Sequence, residues 1–410
     1  MADTLKPRDA GEVEAAVQWA LAEGRALELV GRGSKRPFGR PAQTDLSLDL
    51  SSLSGVTLYE PDELVLSARA GTPIAEIEAL VAASDQELAF EPMDYAAVLG
   101  TDPGRASIGG VLAANLAGPR RIKAGAARDH FLGCVAVSGR GETFKTGGRV
   151  VKNVTGYDLC KLLAGSWGTL AAMIEVTIKV LPKPETEATV LVRGLAPARA
   201  TEAMAAGMGS SCDVSGAAHL PASTAARIPE AARVGGAVTA MRLEGFLPSV
   251  THRRDALQAI LKTYGELAQL DAAPSRAFWK AVRDAAPLAA SPAPGGGERP
   301  LWRISTAPGR GAEVAATIAE GASAEFLFDW AGGLLWAALP PSDDAGAALV
   351  RSALAAAGGH ATLVRAPAAV RAAIAVFQPQ DEALAALTKR VKASFDPRGV
   401  LNPGRMWAGV

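Results

Sequence analysis

The chain has 410 residues, 49% of them hydrophobic and 20% charged, enough apolar material for two or three packed domains rather than a disordered polymer. Its 42 Lys and Arg balance 42 Asp and Glu, whereas a general nucleic-acid binder shows a clear basic excess, so any anion site must be local. The three cysteines, Cys134, Cys160 and Cys212, lack CxxC spacing, which argues against iron–sulfur and zinc centres and fits a reducing compartment.

The N-terminal stretch is charged throughout and has no apolar core, so it does not read as a secretory signal. No run of about 18 uncharged apolar residues is present, so no spanning helix is expected. Together these features predict a cytoplasmic protein, membrane-associated only through partners. The four histidines are scattered and predict no metal site.

In chain order, Pro7–Ala22 reads as an amphipathic helix with Val13, Ala16, Val17 and Ala20 on one face. Ala26–Val30 is a short apolar strand that runs straight into Gly31-Arg32-Gly33-Ser34-Lys35. Two glycines allow such a turn to aim successive N–H groups at one anion, and Arg32, Ser34 and Lys35 add charge and a hydroxyl donor. An ordinary glycine-rich turn with basic neighbours is the competing reading.

Asp45–Leu50 alternates like a half-buried strand. Leu64–Ala70 is a further strand, after which Thr72 is placed to cap a helix that begins at Pro73 and buries Ile74, Ile77, Leu80 and Val81. Thr101–Gly104 is a turn. Ser107-Ile108-Gly109-Gly110 opens an Ala-rich helix through Leu116, a type of N-terminus that suits pyrophosphate, although tight packing through small residues explains it too. Gly118-Pro119-Arg120-Arg121 follows, then His130 in an Arg-Asp-His-Phe run.

Arg149–Val180 combines a basic approach, a polar turn at Asn153, Thr155 and Gly156, Asp158 as helix cap or hydroxyl ligand, a short helix Leu159–Leu163, and Gly165–Thr169 before a final strand. Residues 185–370 are Ala-rich with few sharp motifs, and Pro287–Pro300 reads as an exposed loop or linker. A helix over Glu382–Ser394 leads to the tail Phe395–Arg405, in which Asn402 could reach a heterocycle edge and Arg405 a phosphate or carboxylate.

The set GRGSK, ASIGGVLAANLAGPRR, GRVVKNVTGYDLCKLLAGSWGTL and FDPRGVLNPGR resembles the vanillyl-alcohol-oxidase-type FAD proteins, whose fold is also called the PCMH-type FAD-binding domain. The resemblance covers residues 1–183 and 385–405. It implies an α+β protein: an FAD-binding domain of two α/β subdomains over 1–183, a cap domain with an antiparallel sheet over 184–370, flexible at 287–300, and residues 371–410 returning to complete the FAD site. It implies that Gly31–Lys35 wraps the pyrophosphate and that Gly104, Ser107, Ile108, Gly109 and Gly110 line pyrophosphate and isoalloxazine. Residues Asn153–Asp158 and Gly168–Ile174, among them Asn153, Thr155, Gly156, Asp158, Gly168, Thr169 and Ile174, would bracket ribityl chain and adenine, and Asn402 and Arg405 would close the site.

The departures carry information. Ser34, Lys35 and Arg36 stand where some relatives attach flavin through His or Cys, so FAD is expected to be non-covalent. The Gly-Asp-Gly-Asn run and histidine cluster of the larger catalytic relatives are missing, and a Gly-Ser-Glu-Gly turn is Gly165-Ser166-Trp167-Gly168 here. The resemblance thus implies an FAD-binding subunit that oxidises a 2-hydroxy acid such as glycolate beside a larger FAD-binding catalytic subunit and an iron–sulfur subunit. A stand-alone FAD dehydrogenase for a D-2-hydroxy acid of the D-lactate type, and an FAD-stabilised scaffold, remain alternatives. No catalytic base is assigned; Arg120, Arg121, His130 and Arg405 are the weak catalytic candidates.

Overall fold

The computed structural model describes residues 3–42, 44, 46–149, 156–292 and 296–410. The predicted first helix forms over Ala10–Ala22, with the Asp9 side chain accepting from Glu12 N, a standard N-cap. It turns Val13, Val17 and Ala20 fully inward; burying a valine side chain stabilises by about 1.5–3 kcal/mol. Those residues pack on a three-stranded parallel sheet in the order Asp3–Leu5, Leu46–Asp49, Leu27–Val30. Leu46–Asp49 is the central strand, so it is buried on both faces and not half-buried as its alternation suggested.

A five-stranded antiparallel sheet stands beside it, in the order Val56–Glu60, Val65–Arg69, Ala171–Lys179, Phe131–Ser138, Thr143–Gly147. The helix after Val65–Arg69 spans Ile74–Ala82 and buries Ile77 and Val81 as expected. Thr72 does not cap it. Its hydroxyl donates to Arg69 O at 2.6 Å and accepts from Gly55 N at 2.9 Å, because Gly71 and Thr72 are drawn against the Leu53–Gly55 loop. The short helix Ile108–Ala114 starts at Ser107, whose hydroxyl accepts from Gly110 N, and packs on the five-stranded sheet. A Cβ on Gly109 would lie 2.7 Å from Ala70 Cβ, so only glycine permits that approach.

The second half forms one eight-stranded antiparallel sheet, in the order Leu267–Leu270, Thr186–Arg193, Val238–Gly245, Gly216–Leu220, Glu325–Asp329, Leu334–Ala338, Leu301–Ser305, His360–Arg365. The helices Pro197–Met208 and Leu247–Leu261 cover one part of it through Ala203, Met204, Val250 and Leu257. Parts of the opposite face meet the first half. Trp336 meets Tyr95 edge-on, and Arg365 donates to Val98 O. Of the 287–300 segment, Pro287 and Leu288 are buried at one end and Pro300 at the other, while its described residues from Ala289 to Glu298 are exposed.

The chain then comes back. The helix Glu382–Phe395 is capped by Asp381. Lys392, buried at its end, pairs with Asp396 at 2.7 Å and donates to Thr169 O and Leu401 O. The tail adds to the small sheet: Leu27 N donates to Val400 O at 2.7 Å, and Asn402 N donates to Leu27 O at 3.0 Å. This α+β architecture places both ends of the chain around one cleft.

Candidate FAD site

That cleft lies between the two sheets of the first half. Gly31, Arg32, Gly33, Ser34 and Lys35 line it after the strand Leu27–Val30; Ser107, Gly109 and Gly110 line it from the start of the short helix. Gly168 comes from the turn before the strand Ala171–Lys179, Ala171–Met173 from that strand of the five-stranded sheet, and Asn402 and Arg405 from the tail. Leu29, Val30, Leu50, Ala70, Ala113 and Trp167 give it apolar walls. The first loop, the Ser107 turn and the tail, widely separated along the chain, thus converge as expected.

Not every expected residue reaches the cleft. Ile108 and Thr169 are buried beneath it and hold its wall, and Ile174 faces the core of the small sheet. Gly104 and Gly156 are exposed and do not line it. Asp158 caps the helix Leu159–Leu163 by accepting from Lys161 N, the commoner use of such a residue. Asn153 and Thr155 lie outside the described residues. The Ala171–Met173 wall falls inside the expected Gly168–Ile174 stretch, whereas Trp167 was not anticipated as lining; it lay within the Gly165–Gly168 turn, and its positive φ of 53° aims it at Phe38, whose ring it stacks at 4.2 Å and 8°.

Asn402 lines the cleft but its amide is already engaged. Oδ1 accepts from Leu29 N and Nδ2 donates to Trp167 O, both at 2.8 Å, so Asn402 stitches tail, strand and turn together. A Cβ on Gly168, at φ +72°, would fall 2.8 Å from that Nδ2. Arg405 donates to Lys35 O at 2.9 Å and is 7% exposed.

The electrostatics say what the cleft lacks. Lys35 Nζ donates to Ser34 Oγ and sits 3.4 Å from where a Cβ on Gly110 would be. Burial pushes the Lys35 ammonium down to about 8, opposed by the more distant Asp94. Burial likewise pushes Arg405 down to about 10, and Arg32 Nε is buried with no hydrogen-bond partner. Among the described residues no carboxylate pairs with Arg32, Lys35 or Arg405, whereas the neighbouring Arg36 is paired with Glu28. Three cations with no ion-pair partner, beside glycine backbone and apolar walls, fit a pyrophosphate joined to planar rings. The residues present therefore fit FAD.

The weak catalytic candidates part company. Arg120 is locked in a buried charge cluster with Glu87, Glu91 and Glu244 and is structural. His130 is fully buried, with its ring nitrogens against Ala124 O at 2.9 Å and Lys179 O at 3.3 Å, so it has no access to a substrate. Arg405 belongs to the cleft. Arg121 is not among the residues that line the cleft; its guanidinium lies over the Trp330 ring, 4.4 Å from the centroid.

Comparison with known proteins agrees with the site. The FAD binding domain family matches residues 2–147. Among solved structures, 4-ethylphenol oxidase from Gulosibacter chungangensis superposes with a TM-score of 0.72 at 14% identity, covering 99% of this chain and 89% of that one, which shows the fold. The chain is an FAD-dependent oxidoreductase subunit with the vanillyl-alcohol-oxidase-type fold. It is 32% identical to glycolate oxidase subunit GlcE of Escherichia coli K12 over 393 residues, 96% of this chain and 95% of that protein. The chain belongs to the GlcE family. It is also 30% identical over 188 residues to glycolate oxidase subunit GlcD of Bacillus subtilis 168, but this covers only 46% of the chain and 38% of that protein.

Proposed function

We propose that this chain is the FAD-binding subunit of a complex that oxidises glycolate to glyoxylate and passes the electrons to partner subunits. The observation that carries the reading is the likeness to GlcE across nearly the whole of both proteins, joined to a cleft whose unpaired cations call for a pyrophosphate. The division into an FAD-binding domain (1–183), a cap (184–370) and a returning C-terminal segment (371–410) follows the three-part arrangement of sheets and tail. A larger flavin-binding subunit and an iron–sulfur subunit are the proposed partners, since the chain carries no cysteine motif to take electrons onward. Among the described residues, no helix is long and apolar enough to cross a membrane; the proposal places the chain in the cytoplasm, with any membrane contact made through partners.

In this reading Lys35, Arg32 and Arg405 neutralise the cofactor's phosphates, Gly31, Gly33, Ser107, Gly109 and Gly110 bring backbone close to it, and Trp167 with Ala171–Met173 packs its flat parts. The attachment is non-covalent: Cys134, Cys160 and Cys212 are all buried free thiols and none lines the cleft. Bound FAD supplies a two-electron acceptor. The substrate loses its α-hydrogen with both bonding electrons and its hydroxyl proton to a base, leaving the C=O of glyoxylate.

The test is the visible spectrum of the purified chain before and after anaerobic glycolate, alone and with its partner subunits. Bleaching that appears only with the partners is the expected result. Bleaching of the chain alone supports a self-sufficient dehydrogenase instead, and a colourless, folded protein contradicts the FAD assignment.

A further inference from the structure

Arg303 lies in the strand Leu301–Ser305, opposite Trp336 on one side and Thr362 on the other. Two residues along, on the same face, Ser305 stands opposite His360. That face looks toward the first half of the molecule, where Tyr95 meets Trp336 edge-on at 6.2 Å. Arg121 arrives from the first half. Its guanidinium and that of Arg303 lie 4.4 and 5.0 Å from the centroid of the same Trp330 ring, and Trp330 is anchored by its indole N–H to Gly118 O at 3.0 Å.

Two guanidiniums on one indole repel each other, and at Arg121 the carboxylate that opposes this is Asp129, which makes no ion pair with it. Among the described residues neither side chain makes an ion pair or a hydrogen bond. The nearby carboxylate of Asp329 is 2% exposed and accepts from Trp330 N at 2.7 Å, so it is turned to backbone. The Tyr95 hydroxyl is likewise without a protein hydrogen bond. Arg121 and His360 remain exposed and Arg303 half-buried, so a small solute can reach them. The mutual repulsion is felt: after burial, Arg303 is the next cause that lowers Arg121, and Arg303, Arg121 and Arg351 lower His360. Stacking on an aromatic face holds a guanidinium while leaving its in-plane N–H donors free for a bidentate carboxylate.

The position suits a substrate. From Trp336 the rings run through Tyr95 to Phe38 at 6.0 Å and on to Trp167, which lines the FAD cleft. We infer that Arg121 and Arg303, one from each half of the molecule and stacked on Trp330, form the seat for the carboxylate of a small 2-hydroxy acid. This rests on the function proposed above and adds to it the residues that select a carboxylate.

The test uses the assembled FAD-loaded complex and two anions, glycolate and the unreactive oxalate, read by perturbation of the flavin spectrum. Wild type is compared with Arg121→Gln, Arg303→Gln and Arg303→Lys, and FAD affinity is measured in parallel. The expected result is a rise of about tenfold or more in the oxalate Kd for each Gln variant, a smaller rise for Arg303→Lys, and unchanged FAD affinity. Unchanged oxalate affinity in both Gln variants overturns this assignment and leaves the proposed function standing. A loss of FAD affinity in these variants also overturns it, because the pair would then serve the cofactor's phosphates. If neither anion perturbs the wild-type flavin, the carboxylate seat and the 2-hydroxy-acid reading both fall.

Discussion

Two groups of buried cations in this molecule look alike in composition and differ in what surrounds them. Between the first half and the eight-stranded sheet, Arg120 and Arg242 are enclosed by carboxylates: Arg120 Nε donates to Glu244 at 3.0 Å, Arg242 to Glu91 at 2.8 and 3.1 Å, and Arg120 also pairs with Glu87. Those carboxylates raise both arginines above their ordinary range against the pull of burial. In the FAD cleft, Lys35 and Arg405 have no such partners and burial pulls both down. A cation that the fold has already neutralised holds the fold; a cation left without an anion is placed for a ligand.

Breaking the paired group should have the largest effect. Arg242→Met leaves Glu91 and Glu244 buried with Arg120 as their one remaining cation among the described residues, and removing one member of a buried ion pair costs about 3–5 kcal/mol. Denaturant unfolding should show that loss, with FAD content per folded molecule unchanged. In the unpaired group the effect should move from stability to binding. Lys35→Met removes a charge-assisted contact of about 2 kcal/mol, so the FAD Kd should rise by roughly thirtyfold while the flavin-free protein unfolds at the same or higher denaturant concentration.

A pH dependence sharpens the contrast. Lys35 is lowered to about 8 in the flavin-free protein and a bound pyrophosphate favours its charged form, so binding takes up a proton above that pH. FAD affinity should be level below pH 8 and weaken by up to about tenfold per unit above it. Isothermal titration across pH 7–9.5 checks this, and the slope should vanish in Lys35→Met. The smallest effect is expected at Asp158. Asp158→Ala removes a helix cap and an exposed ion pair with Lys161 at 3.5 Å, together about 1 kcal/mol, and thermal unfolding should register it with no change in FAD affinity, in keeping with its place outside the cleft.

The sequence made the cleft legible where local chemistry was distinctive. Gly31–Lys35, the Ser107 turn and the Asn402–Arg405 tail were readable because glycine, small residues and basic side chains cluster within a few positions. The paired and unpaired states were not readable. Arg120 and Arg121 are adjacent, yet one meets Glu244 and the other Trp330, partners more than a hundred residues away whose approach is set by the packing of the two halves. Thr72 was misjudged for the same reason: its hydroxyl answers to Gly55, a loop contact that no helix signal announces. Asn402 was placed correctly at the cleft, but its amide is spent on Leu29 and Trp167, which only the assembled strand and turn reveal.

The most direct test of the account is a titration of the flavin-free chain with FAD and with riboflavin, which lacks the phosphates but keeps the ring. If Arg32, Lys35 and Arg405 await a pyrophosphate, FAD should bind at least about a hundredfold more tightly than riboflavin, two charge-assisted contacts being enough, and added salt should narrow the gap. Equal affinity for the two would contradict the central claim that this cleft is built around the cofactor's phosphates.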